Sequence, residues 1–420
     1  MRLYINKLKS LLISKRDIVG NALYVSILQV FVVAAPLITY PYLVRVLGTE
    51  LYGIVLSAQM LASYASLIID FGSNSVCAKH VSINRDNSGK LSEILSSILL
   101  TRTILFVLIF FVYMLVVYLI PVYREYIYLF IITYFITLND VLFPQFFFQG
   151  IEKMKYVTII NIGVKLFFIL LIFILVKSVD DILLIPLLYS VGYMLGGISS
   201  LLIVRFKLGI GFKIPTYHQA IIYVKDSSAI FATELICTVK DKLNYLFVGT
   251  LVNMNSVVLY DLAIKLNSFL TKPLNVISIV LFPRFAKNRN LKKLKMVIVG
   301  SFILTLFLVV LVNIFLPQIT KLFINETSDL LPIRLFLLAP LMLSISSMLS
   351  TNLFIAFGYN KYVLYSIIIT TIVYIISLCY ILLGGYQSNL YSFIILALVS
   401  YLTEFVYRLF VACKIYSLSK

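Results

Sequence analysis

The sequence has no tryptophan, two histidines, four cysteines and few charged residues of either sign. The cysteines have no paired spacing and so indicate neither a disulfide framework nor a zinc site; they are Cys77, Cys237, Cys379 and Cys413. His80 and His218 are isolated, so we expect no metal centre. The sequence also lacks a GxxxxGK(S/T) phosphate loop and any nucleophile motif, so we expect a protein that is not an enzyme and needs no cofactor.

What the sequence has in abundance is apolar side chains. Of its 420 residues, 61% are hydrophobic and 12% are charged, and the mean hydropathy is +1.04. A soluble globular chain is about half apolar and about a quarter charged. Runs such as Ile104–Ile120 carry no charge and, with their flanks, are long enough to cross about 30 Å of hydrocarbon as helices. The sequence therefore predicts an all-α polytopic membrane protein.

The alternation of apolar runs and polar breaks predicts twelve transmembrane spans with short connections. The predicted spans are 18–46, 51–72, 92–119, 126–149, 156–176, 182–204, 220–249, 256–283, 296–317, 331–357, 362–383 and 390–413. Prolines inside spans are expected to bend their helices, because proline removes a backbone hydrogen bond; they are Pro36, Pro41, Pro144, Pro273 and Pro340.

Basic residues are concentrated in alternate breaks between the spans, counted together with both termini. The break at 284–295 alone holds six Lys or Arg residues, whereas the opposite loops hold only Arg45, Arg124, Lys177 and Lys321. Because Lys and Arg bias short loops toward the cytoplasm, we expect both termini to be cytoplasmic. This topology and attraction to anionic lipid headgroups account for the net charge of +18, so we expect no nucleic-acid partner.

Two internal matches lie about half a chain apart. Lys155–Val157 (KYV) recurs at Lys361–Val363, 206 residues further on, and the segment from Tyr42 loosely matches the segment from Tyr245, 203 residues further on. The nearly equal offsets predict two six-helix lobes, 1–210 and 211–420, related as a parallel pseudo-repeat, an arrangement known in secondary transporters. We expect two such lobes to enclose a central cavity that can open to either side of the membrane.

Nine basic residues lie inside predicted spans, where a charge at the bilayer centre costs about 2.5–3.5 kcal/mol. Two of them have an acid close by in the sequence and are expected to pair with it: Lys225 with Asp226 and Arg408 with Glu404. Arg102 has apolar turns on both sides. Lys165 lies deep in the fifth span, four residues after Asn161 and so on the same helix face.

Spans seven and eight carry a denser set of polar groups. One helical stripe is flanked by Lys240 and Lys242 and consists of Glu234, Thr238, Asp241 and Tyr245. In the next span Asp261 lies four residues before Lys265. These groups form either internal ion pairs or a binding surface. Because basic residues occur in both halves, the sequence predicts an electropositive cavity that attracts anionic substrates.

Three segments carry a family resemblance: PYLVRVLGTELYG (Pro41–Gly53), DFGSNSVCAKHVSINRD (Asp70–Asp86) and FFFQGIEKMKY (Phe146–Tyr156). They resemble recurring segments of Wzx-type O-antigen flippases, which are polysaccharide translocases of the multidrug/oligosaccharidyl-lipid/polysaccharide (MOP) exporter superfamily. The stretch VKDKLNYLFVGTLV resembles their seventh span, with Asp241 in the place of a common Asp. The resemblance covers essentially the whole chain, although Phe146 stands where the aromatic residue is often Trp.

The resemblance implies twelve helices in two lobes and translocation of an undecaprenyl-diphosphate-linked oligosaccharide, an O-antigen or related repeat unit. Transport would run by alternating access from the cytoplasmic to the periplasmic leaflet of the bacterial inner membrane. A cationic cavity for the anionic headgroup and coupling to an H⁺ or Na⁺ gradient are also implied. A polysaccharide polymerase and a chain-length regulator are candidate partners.

From these residues we select candidate site residues. For contact with diphosphate or acidic sugars, which Lys and Arg suit by charge and donor geometry, they are Arg45, Arg102, Lys165, Lys240, Lys242 and Lys265. For contact with sugar hydroxyls they are Asn74, Asn161 and Tyr245. For ion coupling they are Asp140, Glu234, Asp241 and Asp261.

Three alternatives stay open at this point. A flippase for another lipid-linked precursor, of the peptidoglycan or teichoic type, differs only in the headgroup it carries. A membrane polysaccharide polymerase or ligase would have a sizeable periplasmic loop, whereas the longest outside break here, 317–330, is short. An exporter of cationic drugs would favour an acidic cavity.

Overall fold

The part of the protein that the computed structural model describes is mostly helical and contains no strand. It comprises the backbone of residues 2–324 and 329–418, with the side chains of all of these except 2–23, 25, 26, 33, 218, 239–241, 279, 280, 283, 284 and 418. The helices of the N-terminal half are α1 (Arg2–Asp70), α2 (Ser73–Ile83), α3 (Ser88–Leu119), α4 (Pro121–Glu125), α5 (Ile127–Tyr134), α6 (Leu138–Leu142), α7 (Gln145–Gly150), α8 (Met154–Leu175) and α9 (Leu184–Leu202). Those of the C-terminal half are α10 (Tyr217–Phe247), α11 (Met254–Asn288), α12 (Leu291–Ile324), α13 (Leu331–Phe336), α14 (Ala339–Met348), α15 (Asn360–Leu383) and α16 (Leu390–Leu418).

Nine helical stretches of the described residues are long and apolar enough to cross a membrane. They are Ile27–Ile83, Ser88–Leu119, Ile127–Gly150, Met154–Leu175, Val179–Lys207, Leu291–Ile324, Leu331–Ile355, Asn360–Leu383 and Leu390–Ser417. The predicted class, a multi-pass helical membrane protein, is therefore confirmed. The first stretch covers two predicted spans, and α10 and α11 overlap the seventh and eighth, so the exact count of twelve stays a prediction.

The first two predicted spans belong to one helix. α1 continues through the predicted break at 47–50, and its single non-helical residue is Gly48, with φ 77° and ψ 169°. That backbone conformation strains a residue with a Cβ atom and suits glycine. The kink therefore divides α1 where the sequence predicts a loop.

Proline breaks the fourth span, as expected. α6 ends at Leu142, Phe143 is extended, and α7 begins after Pro144. Phe143 corresponds, 206 residues further on, to Leu349, where a π-helical turn (Leu349–Ile355) begins. Both halves thus carry a helix irregularity at positions that the 206-residue offset of the KYV match relates.

The chain divides into two compact units. The first comprises Met1–Leu47 and Ala58–Leu235, and the second comprises Gly48–Ser57 and Ile236–Lys420. The predicted lobe bounds, 1–210 and 211–420, differ from these because α10 contributes residues to both units, and the lobes stay a prediction. The core of the first unit contains the fully buried Phe146, Phe147 and Phe148. The core of the second includes the π-helical turn Leu349–Ile355, in which Leu353 and Phe354 are fully buried.

Candidate functional site

A polar cavity of about 260 Å³ lies inside the first unit. Its lining comes from α1, from the broken fourth span and from α9, and consists of Gln59, Ala62, Ser63, Ser66, Ile136, Thr137, Asn139, Asp140, Tyr189 and Tyr193. Most of these side chains carry a hydroxyl, amide or carboxylate group. Polar groups inside membrane spans are costly unless they face a cavity or a partner, so their concentration here marks a candidate binding site.

The broken helix of the fourth span places polar residues on the cavity. Between α5 and α6 the chain forms a 3₁₀ turn, Phe135–Thr137, and Asn139 and Asp140 follow directly in α6. Irregular backbone at membrane depth is tolerated where it is buried in protein or lines a cavity. α9 approaches closely because a Cβ atom on its Gly197 would lie 2.5 Å from Cβ of Leu142. This contact brings Tyr189 and Tyr193 to the same cavity as Asp140.

Asp140 is the charged residue of the cavity lining. Its Oδ2 accepts a hydrogen bond from Ser66 Oγ, and its backbone carbonyl accepts one from Nη1 of Arg102 at 2.7 Å. No Lys, Arg or His belongs to the lining in the part of the chain whose side chains the structure describes. This cavity is therefore not electropositive, in contrast to the cavity that the sequence predicts, and the predicted central cavity stays a prediction.

Arg102 is buried next to this cavity, with 2% of its surface exposed. Its Nη2 is ion-paired with Asp70, and its Nε and Nη2 donate to Ser73 Oγ at 3.0 and 2.7 Å. The space beside it measures about 10 Å³, scarcely enough for one water molecule. In this conformation Arg102 joins helices and is closed to a headgroup, and its predicted contact with substrate stays a prediction.

Arg102 holds a break in the second span. Phe71 (φ 50°) and Gly72 (φ 67°) are left-handed, so α1 ends at Asp70 and α2 begins at Ser73. A Cβ atom on Gly72 would lie 2.9 Å from the backbone nitrogen of Phe231 in α10, and the ring of Phe71 stacks on that of Phe231 at 4.2 Å. A left-handed phenylalanine is uncommon and is maintained by its surroundings. The DFGS segment of the family resemblance thus forms a structured helix break.

Lys165 and the two candidate asparagines also lie in the first unit. Lys165 is half-buried and makes no hydrogen bond or ion pair with a described residue. Phe168, three residues further on and so on the same face, packs against Tyr189 of the cavity at 4.1 Å. Asn161 Nδ2 donates to its own helix, whereas the buried Oδ1 of Asn74 has no hydrogen-bond partner among the described residues. Lys165 therefore places a basic group that has no described ion-pair partner on the helix face that contacts the cavity wall.

In the second unit the candidate residues form internal pairs. The buried carboxylate of Asp261 pairs with Lys265 and accepts a hydrogen bond from Tyr245 Oη at 2.6 Å. Beside it, Asn244 donates to Tyr260 Oη at 3.1 Å and accepts from Tyr374 Oη at 2.8 Å. From the sequence, Asp261 and Lys265 could form either an internal ion pair or part of a binding surface. In the structure they form the ion pair. A substrate contact by Lys265 or Tyr245 stays a prediction.

The remaining candidates are more dispersed. Arg45 is exposed, and Glu234 and Lys242 are half-buried. The side chains of Lys240, Asp241 and His218 lie outside the described residues. Among the described residues no group of three His, Cys, Asp or Glu side chains could hold a metal ion.

Of the two ion pairs predicted along one helix, one is correct. Arg408 and Glu404 lie 2.7 Å apart. The Lys225–Asp226 pair is wrong, because adjacent helical residues do not face each other. Asp226 instead pairs with His80 of α2 at 3.0 Å.

Sequence reasoning missed most of the cavity lining. Gln59, Ser63 and Ser66 are spaced four and three residues apart, and Tyr189 and Tyr193 four apart. Each set therefore follows one face of an otherwise apolar helix. That spacing was the available signal.

The fold is that of MOP-superfamily transporters. It matches a structure described as an inward-facing multidrug resistance MATE family transporter of the MOP superfamily with a TM-score of 0.68, at 15% identity, over 92% of this chain and 96% of that chain. It matches the lipid II flippase MurJ, in an inward closed conformation, with a TM-score of 0.66, at 15% identity, over 94% of this chain and 87% of that chain. At such identities the likeness establishes the fold alone.

Residues 18–289 match the family described as "Polysaccharide biosynthesis protein" (Polysacc_synt), and the chain belongs to this family. A curated relative, named "Putative O-antigen transporter", from Escherichia coli (strain K12), is 24% identical over 362 residues, which cover 83% of this chain and 86% of that protein. The resemblance to Wzx-type flippases of the MOP superfamily, noted from the three segments, is thereby confirmed.

Proposed function

We propose that this protein is a flippase that moves an undecaprenyl-diphosphate-linked oligosaccharide, an O-antigen or related repeat unit, from the cytoplasmic to the periplasmic leaflet of the bacterial inner membrane. The observation that carries the proposal is a hydroxyl- and amide-lined cavity within the membrane spans of a polysaccharide biosynthesis family member. The relative's name, an O-antigen transporter, supports the same substrate class. Transport is by alternating access of two six-helix lobes, with both termini in the cytoplasm.

The diphosphate and the coupling ion are assigned to different residues. Lys165 is the favoured diphosphate contact, because it is half-buried and has no described partner. Arg45, Lys240 and Lys242 are further candidates. Asp140, whose carboxylate lines the cavity, binds the H⁺ or Na⁺ that drives transport. A polysaccharide polymerase and a chain-length regulator receive the flipped product.

A leaflet-resolved assay in proteoliposomes tests the proposal. Lipid-linked repeat units of the native host are placed in one leaflet, and their exposure on the other is followed with a membrane-impermeant sugar oxidant. We expect protein-dependent exposure that rises with an imposed H⁺ or Na⁺ gradient and no longer responds to the gradient in Asp140→Asn. Equal exposure with and without the protein would contradict the proposal.

A second substrate is tested in the same assay, because the fold also matches a lipid II flippase. The same vesicles are loaded with an undecaprenyl-diphosphate-linked peptidoglycan precursor. Preferential movement of that lipid would reassign the headgroup to the peptidoglycan type. Preference for the oligosaccharide supports the proposed substrate.

A further inference from the structure

The cavity of the first unit has a polarity that does not suit a diphosphate. Among the described residues, its lining contains one carboxylate, Asp140, and no cationic side chain. Positive charges are needed to offset the desolvation of a diphosphate, and a carboxylate in a low-dielectric site repels it. The cavity must therefore take a different part of the substrate, or a different ligand.

Several polar groups on this cavity have no partner among the described residues. The amides of Gln59 and Asn139 make no described hydrogen bond, and the same holds for the hydroxyl of Tyr193. Ser66 uses only Oδ2 of Asp140, which leaves Oδ1 as a further acceptor. An amide both donates and accepts, a carboxylate accepts, and a phenol does either. Such a mixed set suits a ligand whose groups are themselves both donors and acceptors, as sugar hydroxyls are.

Two tyrosine rings supply the other half of a sugar site. Tyr189 and Tyr193 lie on successive turns of α9, with ring centroids 6.4 Å apart and planes 27° apart. Phe168 of α8 backs Tyr189 at 4.1 Å and so restricts its movement. An aromatic ring combines an apolar face with, in tyrosine, a polar edge. The apolar face suits the C–H face of a sugar ring, while the phenol reaches its hydroxyls.

The size of the cavity limits what it holds. At about 260 Å³ it falls below the range of about 300–1,000 Å³ typical of sites for drug-sized ligands. A single sugar ring is smaller than such ligands, whereas a whole repeat unit with its diphosphate is larger. The cavity therefore takes one sugar residue at a time.

We propose that this cavity is a subsite for one uncharged sugar residue of the transported oligosaccharide, bound by Gln59, Asn139, Asp140 and the rings of Tyr189 and Tyr193. The proposal deepens the proposed flippase function and rests on it. It divides recognition in two: the sugar is bound inside the first unit, and the diphosphate is bound elsewhere by basic residues. The subsite then selects among lipid-linked substrates that share the same diphosphate.

The absence of tryptophan allows a direct binding test. Tyr193→Trp introduces one tryptophan on the cavity, and Phe111→Trp, at a side chain that is 66% exposed on α3, provides a matched reporter away from it. The probe is the repeat-unit oligosaccharide released by mild acid from the lipid-linked pool of the native host. It is added to each purified full-length variant in detergent, and the tryptophan emission is recorded.

We expect a saturable emission change in the Tyr193→Trp protein and none in the Phe111→Trp protein. Adding Asn139→Leu should weaken binding about 3- to 10-fold, as the loss of one hydrogen bond predicts. Inorganic pyrophosphate should not compete. No saturable change, or displacement of the sugar by pyrophosphate, would overturn the subsite.

A second measurement covers the case in which the tryptophan variant does not fold. In the vesicle assay, Gln59→Leu and Asn139→Leu should slow the oligosaccharide-bearing lipid and leave undecaprenyl diphosphate without sugar unaffected. Equal slowing of both lipids contradicts a sugar subsite. If the unsubstituted protein moves neither lipid, the flippase function fails, while sugar binding by the Tyr193→Trp protein is judged separately.

Discussion

The guanidinium of Arg102 in α3 forms an ion pair with the carboxylate of Asp70, 32 residues earlier, at the end of α1. The same guanidinium donates to Ser73 and to the carbonyl of Asp140. One side chain therefore ties the break in the second span to the broken fourth span. Because Asp140 lines the cavity, Arg102 positions a cavity residue without lying on the cavity itself.

This relationship predicts strong coupling between Arg102 and Asp70. Removing one partner of a buried ion pair leaves an uncompensated charge and costs about 3–5 kcal/mol. We expect Arg102→Gln and Asp70→Asn each to lower the unfolding temperature of the purified protein substantially. The double variant Arg102→Gln/Asp70→Asn should be more stable than the sum of the single effects, since no charge is left unpaired. Thermal unfolding in detergent measures all three.

The transport activity of the double variant separates two roles for Arg102. If Arg102 acts only by holding helices, a folded double variant retains transport. If the double variant is stable and no longer flips lipid-linked oligosaccharide, Arg102 has a role beyond its ion pair with Asp70: contact with the headgroup, or the hydrogen bond that positions Asp140. Either result is obtained with folded protein.

The sequence predicts those features whose signals are local. The apolar runs predict a membrane protein, and Pro144 predicts the break in the fourth span. The four-residue spacing of Glu404 and Arg408 predicts their ion pair. The pairing of Arg102 with Asp70 has no such signal, because the two residues lie on different helices. The polarity of the cavity could not be predicted for the same reason, because the residues that line it come from three separate parts of the chain. The number of basic residues inside the membrane spans can be read from the sequence, but their positions relative to the cavity cannot.

In the second unit, two helices approach each other so closely at Gly53 that we expect a larger side chain there to destabilise the protein. A Cβ atom there would lie 2.2 Å from the carbonyl oxygen of Met254. Backbone must therefore shift in Gly53→Ala, and forced overpacking costs about 1–3 kcal/mol. Gly163→Ala is the matched control, because no atom lies within 4 Å of its Cβ position. In a helix that control should gain about 0.5–1 kcal/mol. Equal unfolding temperatures for the two variants would rule out the contact.

The Arg85–Glu152 pair predicts a pH-dependent contribution to stability. Arg85 Nη2 donates to Glu152 Oε1 at 2.6 Å, and this hydrogen bond, aided by the Arg85 charge, lowers the pKa of Glu152 from its usual 4.5. A carboxylate whose pKa is lowered on folding stabilises the protein above its ordinary pKa, and that contribution is lost as pH falls through the lowered value. The unfolding temperature of the native protein should exceed that of Glu152→Gln at neutral pH. The difference should vanish once the pH lies below the Glu152 pKa; a difference that persists there argues against the pair.

The positions of basic residues predict which loops face the cytoplasm. Lys292, in the first turn of α12, should be inside, and Lys177, between α8 and α9, should be outside. Both residues are exposed, so Lys292→Cys and Lys177→Cys can be compared in a background without the four native cysteines. A membrane-impermeant maleimide should label Lys177→Cys in intact spheroplasts, and Lys292→Cys only after permeabilisation. The reverse pattern would place both termini outside the cytoplasm.

Separate recognition of sugar and diphosphate predicts opposite substrate dependence for Lys165 and Asn139. Lys165 has no described partner and is assigned to the diphosphate, which is common to lipid substrates with and without sugar. Lys165→Met should therefore weaken transport of both lipids by about 10- to 100-fold, as expected when a hydrogen bond to a charged group is lost. Lys165→Arg keeps the charge and should retain most of the activity. Asn139→Leu should slow only the sugar-bearing lipid, because its amide lies on the sugar cavity. If Lys165→Met slows only the sugar-bearing lipid, Lys165 belongs to sugar recognition, and the diphosphate must be bound by the basic residues outside this cavity, of which Arg45 and Lys242 are the first to test.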